Sequence, residues 1–445
     1  VKARIFLDKF DYIFLFRYNA NVEFSWLMSY FEIIGGKKLN GEIVVNGAKN
    51  AALKAVAAAL LSRDKWTITN FPFIEDTRRI LEMVEALGVK VRRGKNCVEI
   101  QAEKIKTSRL DDQLAKKLRA SIILAGPVLA RKGQVKMHHP GGCVIGKRPI
   151  DMFIDGFQKF GARVKWNNSH FEIEARELKG VKIFFPKVTV TGTETMMMTA
   201  VLADGDTTLE NAAMEPEIPA LADFLNKCGA KITGAGTPTI KIKGVKKING
   251  GKFELIPDRI ETGTFAILGA LAGGKIKIKR CNPSHVRAFL EYFKKAGVKF
   301  MEGKNELMVW GTKNLKPVNI STHEYPGFAT DLQPPFTLLV TQAKGASLIH
   351  DSIFESRLMF TDALNLMGAK IIMNDPHRVT VTGPSKLYGR KIASPDLRAG
   401  ITLLLAGLIA EGKTRIENIY QIDRGYEDIE GRLQKLGADI KRIEK

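Results

Sequence analysis

The segment EALGVKV at residues 85–91 sets a glycine between a helical ending and an alternating strand. Gly88 falls where the residue after a helix takes a positive φ, a conformation that a Cβ opposes. The apolar–polar alternation after it has the two-residue period of a half-buried strand. The same junction recurs as QKFGARV (158–164), NKCGAKI (226–232), KKAGVKF (294–300), NLMGAKI (365–371) and QKLGADI (434–440). Its marker glycines, Gly88, Gly161, Gly229, Gly297, Gly368 and Gly437, stand roughly 70 residues apart, a period too long for the common solenoids. Between them a second junction recurs, a turn feeding a strand: SRDKWTITN (62–70), RKGQVKMHH (131–139), ADGDTTLEN (203–211), GGKIKIKRC (273–281), KGASLIHDS (344–352) and EGKTRIENI (411–419). The chain therefore reads as six α/β units, each with two helices and several strands.

Two helical stretches, Ala51 to Leu61 and Ile401 to Ala410, are apolar all round. A helix apolar on every side is buried on every side, so helices are expected at the centre and sheets outside. Two domains of three units is the simplest grouping. Periodicity alone also permits an open sheet with helices on both faces.

The chain has 445 residues, enough for two or three cores, and 45% apolar content befits a globular protein. Its cysteines, Cys97, Cys143, Cys228 and Cys281, are far apart and form no CxxC pair. That disfavours a disulfide framework or a zinc site and favours a reducing cytosol. His138-His139 is a weak metal signal, and no HExxH occurs. The longest apolar runs, Ile122 to Ala130 and Ile401 to Ala410, fall short of the ~18 residues of a membrane span. Lys and Arg exceed Asp and Glu, 69 − 47 = +22, and such a field attracts nucleic acid, membrane surfaces or phosphorylated substrates. The basic residues are scattered, without an aromatic–basic RNA motif. Residues 1–27 crowd aromatics without a core pattern and lack the h-region of a signal peptide. They read as an extension upstream of a natural start at Met28.

Candidate chemistry gathers in a few stretches. His139-Pro-Gly-Gly-Cys-Val-Ile-Gly-Lys-Arg148 puts a lone thiol, Cys143, on a glycine-rich loop with a cation five residues on. Asn46-Gly-Ala-Lys-Asn50 joins a strand to a helix through a glycine and Lys49, an anion-binding arrangement, or simply a helix start with Asn50 as N-cap. Leu118-Arg119-Ala120 and Leu397-Arg398-Ala399 each open a small-residue helix, and a buried arginine needs an anionic partner, a structural carboxylate or a ligand. Arg357 and Arg424 are further candidate cations. Asp331, in YPGFATD (325–331), is either the N-cap of the helix from Leu332 or a general base at a cleft.

These residues bring in a likeness. The chain from about Tyr30 onward resembles the UDP-N-acetylglucosamine 1-carboxyvinyltransferases of the enolpyruvyl transferase family. The matching motifs are FEIIGGKKLNGEIVVNGAKNAAL (31–53), LRAS (118–121), PGGCVIGKRPID (140–151), TGTET (191–195), LENAAMEPEI (209–218), PDRIETGTF (257–265), PGFATDLQ (326–333), ESR (355–357), DLRAG (396–400) and DRGYE (423–427). Their number and order make the match specific. The resemblance implies a two-domain inside-out α/β barrel of six βαβαββ-type units, with crossings near Gly47–Asn50 and Pro257–Arg259. One domain would join 28–49 to 258–445; the other, 50–257, would carry the cysteine loop; residues 1–27 have no family counterpart.

By the same resemblance the reaction moves the enolpyruvyl group of phosphoenolpyruvate to the 3′-hydroxyl of UDP-N-acetylglucosamine, releasing phosphate, in peptidoglycan synthesis. No cofactor and no metal are implied. Cys143 would protonate the methylene carbon, Asp331 would take or orient the hydroxyl proton, and Lys49 and Arg398 would act with them. Arg119, Arg148, Arg424 and Arg357 would hold anionic groups. Asn50, the run Arg148, Pro149, Ile150, Asp151 and Met152, the strand end Val188 to Gly192 with Thr191, and Ile353 would hold the sugar nucleotide. Thr195 departs from the family pattern, where asparagine is common, with an expected effect on sugar-nucleotide contacts. The implied protein is a cytoplasmic monomer without nucleic-acid or membrane partners. The rivals are the sister enzyme making 5-enolpyruvylshikimate 3-phosphate, disfavoured by the cysteine loop and the Gly47–Asn50 signature, and a nucleic-acid binder favoured only by net charge.

Overall fold

A computed structural model describes residues 29–141, 145–167 and 169–444. Residues 1–27 and Met28 lie outside them. All six marker glycines have positive φ, between +80° at Gly297 and +109° at Gly368. Each ends a helix and opens a strand, and among the described residues the strands gather into five four-stranded sheets and one of three.

Residues 182–243 show the pattern. Strand Lys182–Phe184 leads through helix Val190–Val201 to strand Asp206–Glu210, parallel to the first. Helix Glu217–Lys227 then leads to the antiparallel strands Lys231–Thr233 and Thr239–Lys243, the latter pairing with Asp206–Glu210. The sheets are thus α/β and mixed. In the three-stranded sheet the parallel edge shrinks to a single bridge, Arg109 with Lys136.

A left-handed asparagine fastens the parallel edge in three sheets. Asn70, Asn211 and Asn418 have φ of 54–56°, which asparagine tolerates better than most residues. Their side-chain amides donate to Leu255 O, Phe185 O and Ser394 O at 3.0, 2.8 and 2.8 Å.

The apolar side chains bury into two clusters. One runs from Ala48 to Leu255; the other joins Phe31–Val45 to Ile260–Ile440. Each centres on helices with no solvent face: residues 51–58 of Lys49–Ala58 are buried, as are 397–408 of Leu397–Ile409. Inside the first cluster a buried ion pair, Lys54 Nζ to Glu194 Oε2 at 3.0 Å, links two of these helices. Burial pushes the Glu194 carboxyl up to about 7, against the pull of Lys54.

The two clusters exchange strands. Gly41–Val44 precedes helix Lys49–Ala58 in sequence but pairs with Lys275–Lys279 of the other cluster. Gly251–Glu254 precedes helix Arg259–Leu271 but pairs back with Lys65–Thr69. The two connections pass antiparallel at a bridge between Gly47 and Pro257. They are pinned by Ala48 N to Ile256 O at 2.8 Å and Asp258 N to Asn46 O at 2.9 Å. A Cβ on Gly47 would sit 1.8 Å from Asn70 O, so the crossing requires glycine there. No helix among the described residues is long and apolar enough to cross a membrane.

Candidate functional site

The crossing delivers Lys49 to the junction of the two cores. Its helix has Ala48 at the N-cap, which offers no side-chain oxygen. Asp258, from the other connection, accepts Lys49 N at 2.9 Å. Asn50 therefore sits inside the first turn and is not the N-cap: a carboxylate distant in sequence takes that role. Asp258 also caps its own helix through Ile260 N and Glu261 N, so one residue starts both central helices.

Asp331 lies in the short 3-10 turn Thr330–Leu332 ahead of helix Gln333–Val340. It does not cap that helix, because two guanidiniums take its carboxylate. Arg357 Nη2 donates at 2.8 Å and Arg398 Nη2 at 3.0 Å, one to each oxygen. Burial would raise the carboxyl, but Arg398, Arg357 and Lys49 outweigh it and hold Asp331 well below the usual carboxylate range.

Arg398 is 4% exposed and is positioned from several sides. Asp396 caps its helix through Arg398 N and Ala399 N, and Arg398 Nη1 reaches Tyr426 Oη at 3.4 Å. Burial works against its charge, yet Asp331 raises the guanidinium above its ordinary value. Arg357 Nε donates to Thr330 Oγ1, which donates to Asp351. Asp351 also accepts Ile353 N at 3.0 Å, fixing Ile353 beside this cluster.

Lys49 and Arg424 share a second carboxylate, Asp76. Lys49 Nζ lies 3.2 Å from Oδ2, and Arg424 Nε donates to Oδ1 at 2.9 Å. Burial pushes the Lys49 ammonium down; Asp76 opposes that, and Arg398 and Arg424 add to it. Asp76 escapes sequence reading because Glu75-Asp76 looks like the ordinary acidic first turn of helix Glu75–Ala86.

Cys143 lies outside the described residues, as do Gly142 and Val144. The loop beyond them is anchored across the junction. Ser356 N donates to Ile145 O at 3.1 Å, and Lys147 N donates to Glu355 Oε1 at 2.8 Å. Gly146 has φ +145°, and a Cβ there would sit 2.4 Å from Glu355 Oε2. Arg148 then stacks over Phe354 at 5.9 Å, and Arg357 approaches the same ring at 5.2 Å. Pro149 is exposed, Ile150 buried, and Asp151 and Met152 open helix Asp151–Lys159.

Arg119 faces this loop and donates to Pro149 O at 3.5 Å. Among the described residues no carboxylate pairs with it. Burial, with Arg148 adding to it, pushes its guanidinium down to about 10, still charged at neutral pH. Leu118-Arg119-Ala120 opens a 3-10 segment, Arg119–Leu124, and the α-helix begins only at Ala125.

Two further readings need correction. Val188–Gly192 is not a strand end: the strand stops at Phe184, and Thr191 and Gly192 lie in the first turn of helix Val190–Val201. Thr189 caps that turn, accepting Gly192 N at 3.2 Å. Thr195 is fully buried one turn further in, so its departure from the family pattern is felt by the core.

The sequence-predicted residues thus gather in three groups: Asp331 with Arg357 and Arg398; Lys49 with Arg424; Arg119 beside Arg148. Fixed cations around two carboxylates have the charge to attract a small polyanion.

Comparison with known proteins gives the family. The family described as EPSP synthase (3-phosphoshikimate 1-carboxyvinyltransferase) matches residues 33–433. The chain is 44% identical to UDP-N-acetylglucosamine 1-carboxyvinyltransferase of Koribacter versatilis (strain Ellin345), over 94% of this chain and 97% of that one. It is 45% identical to the protein of that name from Trichlorobacter lovleyi, over 92% and 98%. Among solved structures it is similar to the enolpyruvyl transferase NikO from Streptomyces tendae, with TM-score 0.85, 25% identity and coverage of 94% and 99%. EPSP synthase from Acinetobacter baumannii shares the fold at TM-score 0.74 and 18% identity, over 93% of this chain and 100% of that one.

Proposed function

The chain belongs to the EPSP synthase family of 1-carboxyvinyl transferases, and from that premise we propose how its residues divide the work. The reaction is transfer of the enolpyruvyl group of phosphoenolpyruvate to the 3′-hydroxyl of UDP-N-acetylglucosamine with release of phosphate, in peptidoglycan synthesis. The Cys143 thiol gives its proton to C3 of phosphoenolpyruvate, which makes C2 electrophilic. The sugar oxygen bonds to C2 as its proton passes to Asp331. Loss of a C3 proton to the sulfur and departure of phosphate from C2 restore the double bond and the thiol, and the phosphate takes up the proton held by Asp331.

One observation carries this division of roles: Asp331 is bridged by Arg357 and Arg398 at 2.8 and 3.0 Å, with Lys49 in the same field. A carboxylate so held is a weak base. An incoming phosphate or carboxylate that draws the guanidiniums toward itself removes positive charge from Asp331 and raises its pKa. Arrival of the anion thereby turns the carboxylate into a competent proton acceptor. Arg119, Arg148 and Arg424 complete the cationic surround. Asn50, Pro149–Met152, Thr191, Gly192 and Ile353 line the sugar-nucleotide side.

The six sheets are taken as six βαβαββ-type units in two inside-out barrels, 28–49 with 258–445 and 50–257. The two separate apolar clusters and the bridge at Gly47 support that division. The protein acts as a cytoplasmic monomer on its two small substrates. The test is phosphate release from phosphoenolpyruvate with each acceptor offered separately. Release is expected with UDP-N-acetylglucosamine; release only with shikimate 3-phosphate overturns the reading.

A further inference from the structure

Lys49 is nearly enclosed, with 14% of its side chain exposed. The charges that act on it come from four other elements: Asp76 on helix Glu75–Ala86, Asp331 on the turn Thr330–Leu332, Arg398 on helix Leu397–Ile409, and Arg424 just after helix Tyr420–Asp423. Asp331 is engaged by Arg357 and Arg398. Among the described residues, the carboxylate in direct contact with the ammonium is Asp76.

Asp76 is itself fixed. It is 4% exposed and sits in the first turn of its helix, where the macrodipole favours an anion. Thr77 clamps that turn by accepting Ile74 N at 3.1 Å and donating to Pro72 O at 2.6 Å. Its two oxygens are divided, one to Lys49 on its own core and one to Arg424 on the other. Without it, burial and two neighbouring guanidiniums would favour the neutral amine, which offers no charge to a phosphate.

We propose that Asp76 is a positioning residue for the transfer: its carboxylate bridges Lys49 and Arg424 across the two cores, aims both at the anionic substrate and keeps the lysine in its ammonium form. The assignment rests on the functional reading above, but its test does not.

Titrate Lys49 directly by NMR with carbon-labelled lysine, the Cε resonance being assigned by its loss in Lys49→Arg. In Asp76→Asn the Lys49 midpoint should fall by about 1–3 pH units, the usual weight of a close opposite charge. The KM for phosphoenolpyruvate should then rise ~10-fold per pH unit above that midpoint, with kcat little changed. Asp76→Glu should restore most of both. An unshifted Lys49 midpoint in a normally melting Asp76→Asn protein overturns the proposal. If the asparagine protein does not fold, Asp76→Ser is titrated instead, and an unshifted midpoint there overturns it equally. Wild-type protein that releases no phosphate with UDP-N-acetylglucosamine overturns the functional reading, while the titration still decides the role of Asp76.

Discussion

Leu397-Arg398-Ala399 and Leu118-Arg119-Ala120 spell the same tripeptide at the head of a buried helical segment, one in each core. Arg398 is enclosed, meets a carboxylate at 3.0 Å and has its charge reinforced. Arg119 is half-buried, has a carbonyl as partner, and has its charge opposed by burial and by Arg148. Among the described residues the protein has thus given one arginine a carboxylate and the other only a carbonyl. On the proposed reading the first serves stability and proton chemistry, and the second serves affinity.

The sharpest way to break this contrast is Asp331→Asn, which removes both the internal counter-ion and the proposed proton acceptor. Turnover should fall by about 10²–10⁴-fold, the usual range for a lost acid–base group. Turnover within threefold of wild type would exclude Asp331 from the chemistry. The same variant has a pH signature. Asp331 is depressed in the folded state, so its stabilisation is present above its unfolded value of about 3.9 and is lost as pH falls. The melting gap between wild type and Asp331→Asn should therefore narrow below about pH 4.

Arg398→Ala should cost about 1.5–3 kcal/mol, because Asp331 loses one of its two guanidinium partners and keeps Arg357. Arg119→Ala should cost under about 1 kcal/mol, since among the described residues only one long hydrogen bond, to Pro149 O, is lost. Denaturant midpoints measured side by side check this, and equal losses would erase the distinction. Arg119→Ala should instead raise the KM for an anionic substrate by about 10–100-fold, the weight of a hydrogen bond to a charged group. A smaller effect concerns thiols. Burial pushes Cys228 and Cys281 up to about 11, so both should resist an epoxide or iodoacetamide at neutral pH while Cys143 reacts. Peptide mapping that finds the label first on Cys228 or Cys281 would contradict that order.

The repeat was readable because its signals are local. A glycine after a helix and an alternating strand each act within a few residues. The partners in the site were not, because they come from afar. Asp258 caps a helix 209 residues earlier in the chain, and Arg424 meets Asp76 over 348 residues. Asp331 was legible as an acid, but the two arginines that restrain it come from separate elements. The tripeptide around Arg119 and Arg398 was legible as a pair, while their opposite electrostatic states depend on tertiary neighbours. Val188–Gly192 misled for a local reason: Thr189 and Gly192 favour a capped helix start as readily as a strand end.

The bridge between Gly47 and Pro257 also says how such a chain can be cut and rejoined. Lys49 N and the Asp258 carboxylate lie 2.9 Å apart, so excising residues 50–257 leaves two ends that already touch. The strand Gly251–Glu254, which completes the first sheet, leaves with the excised piece, and Gly41–Val44 stays behind with its own sheet. In genetic terms the proposed domain 50–257 would be an insert with matched ends. On that division one half is spliced into the other, and the splice falls where Lys49 stands.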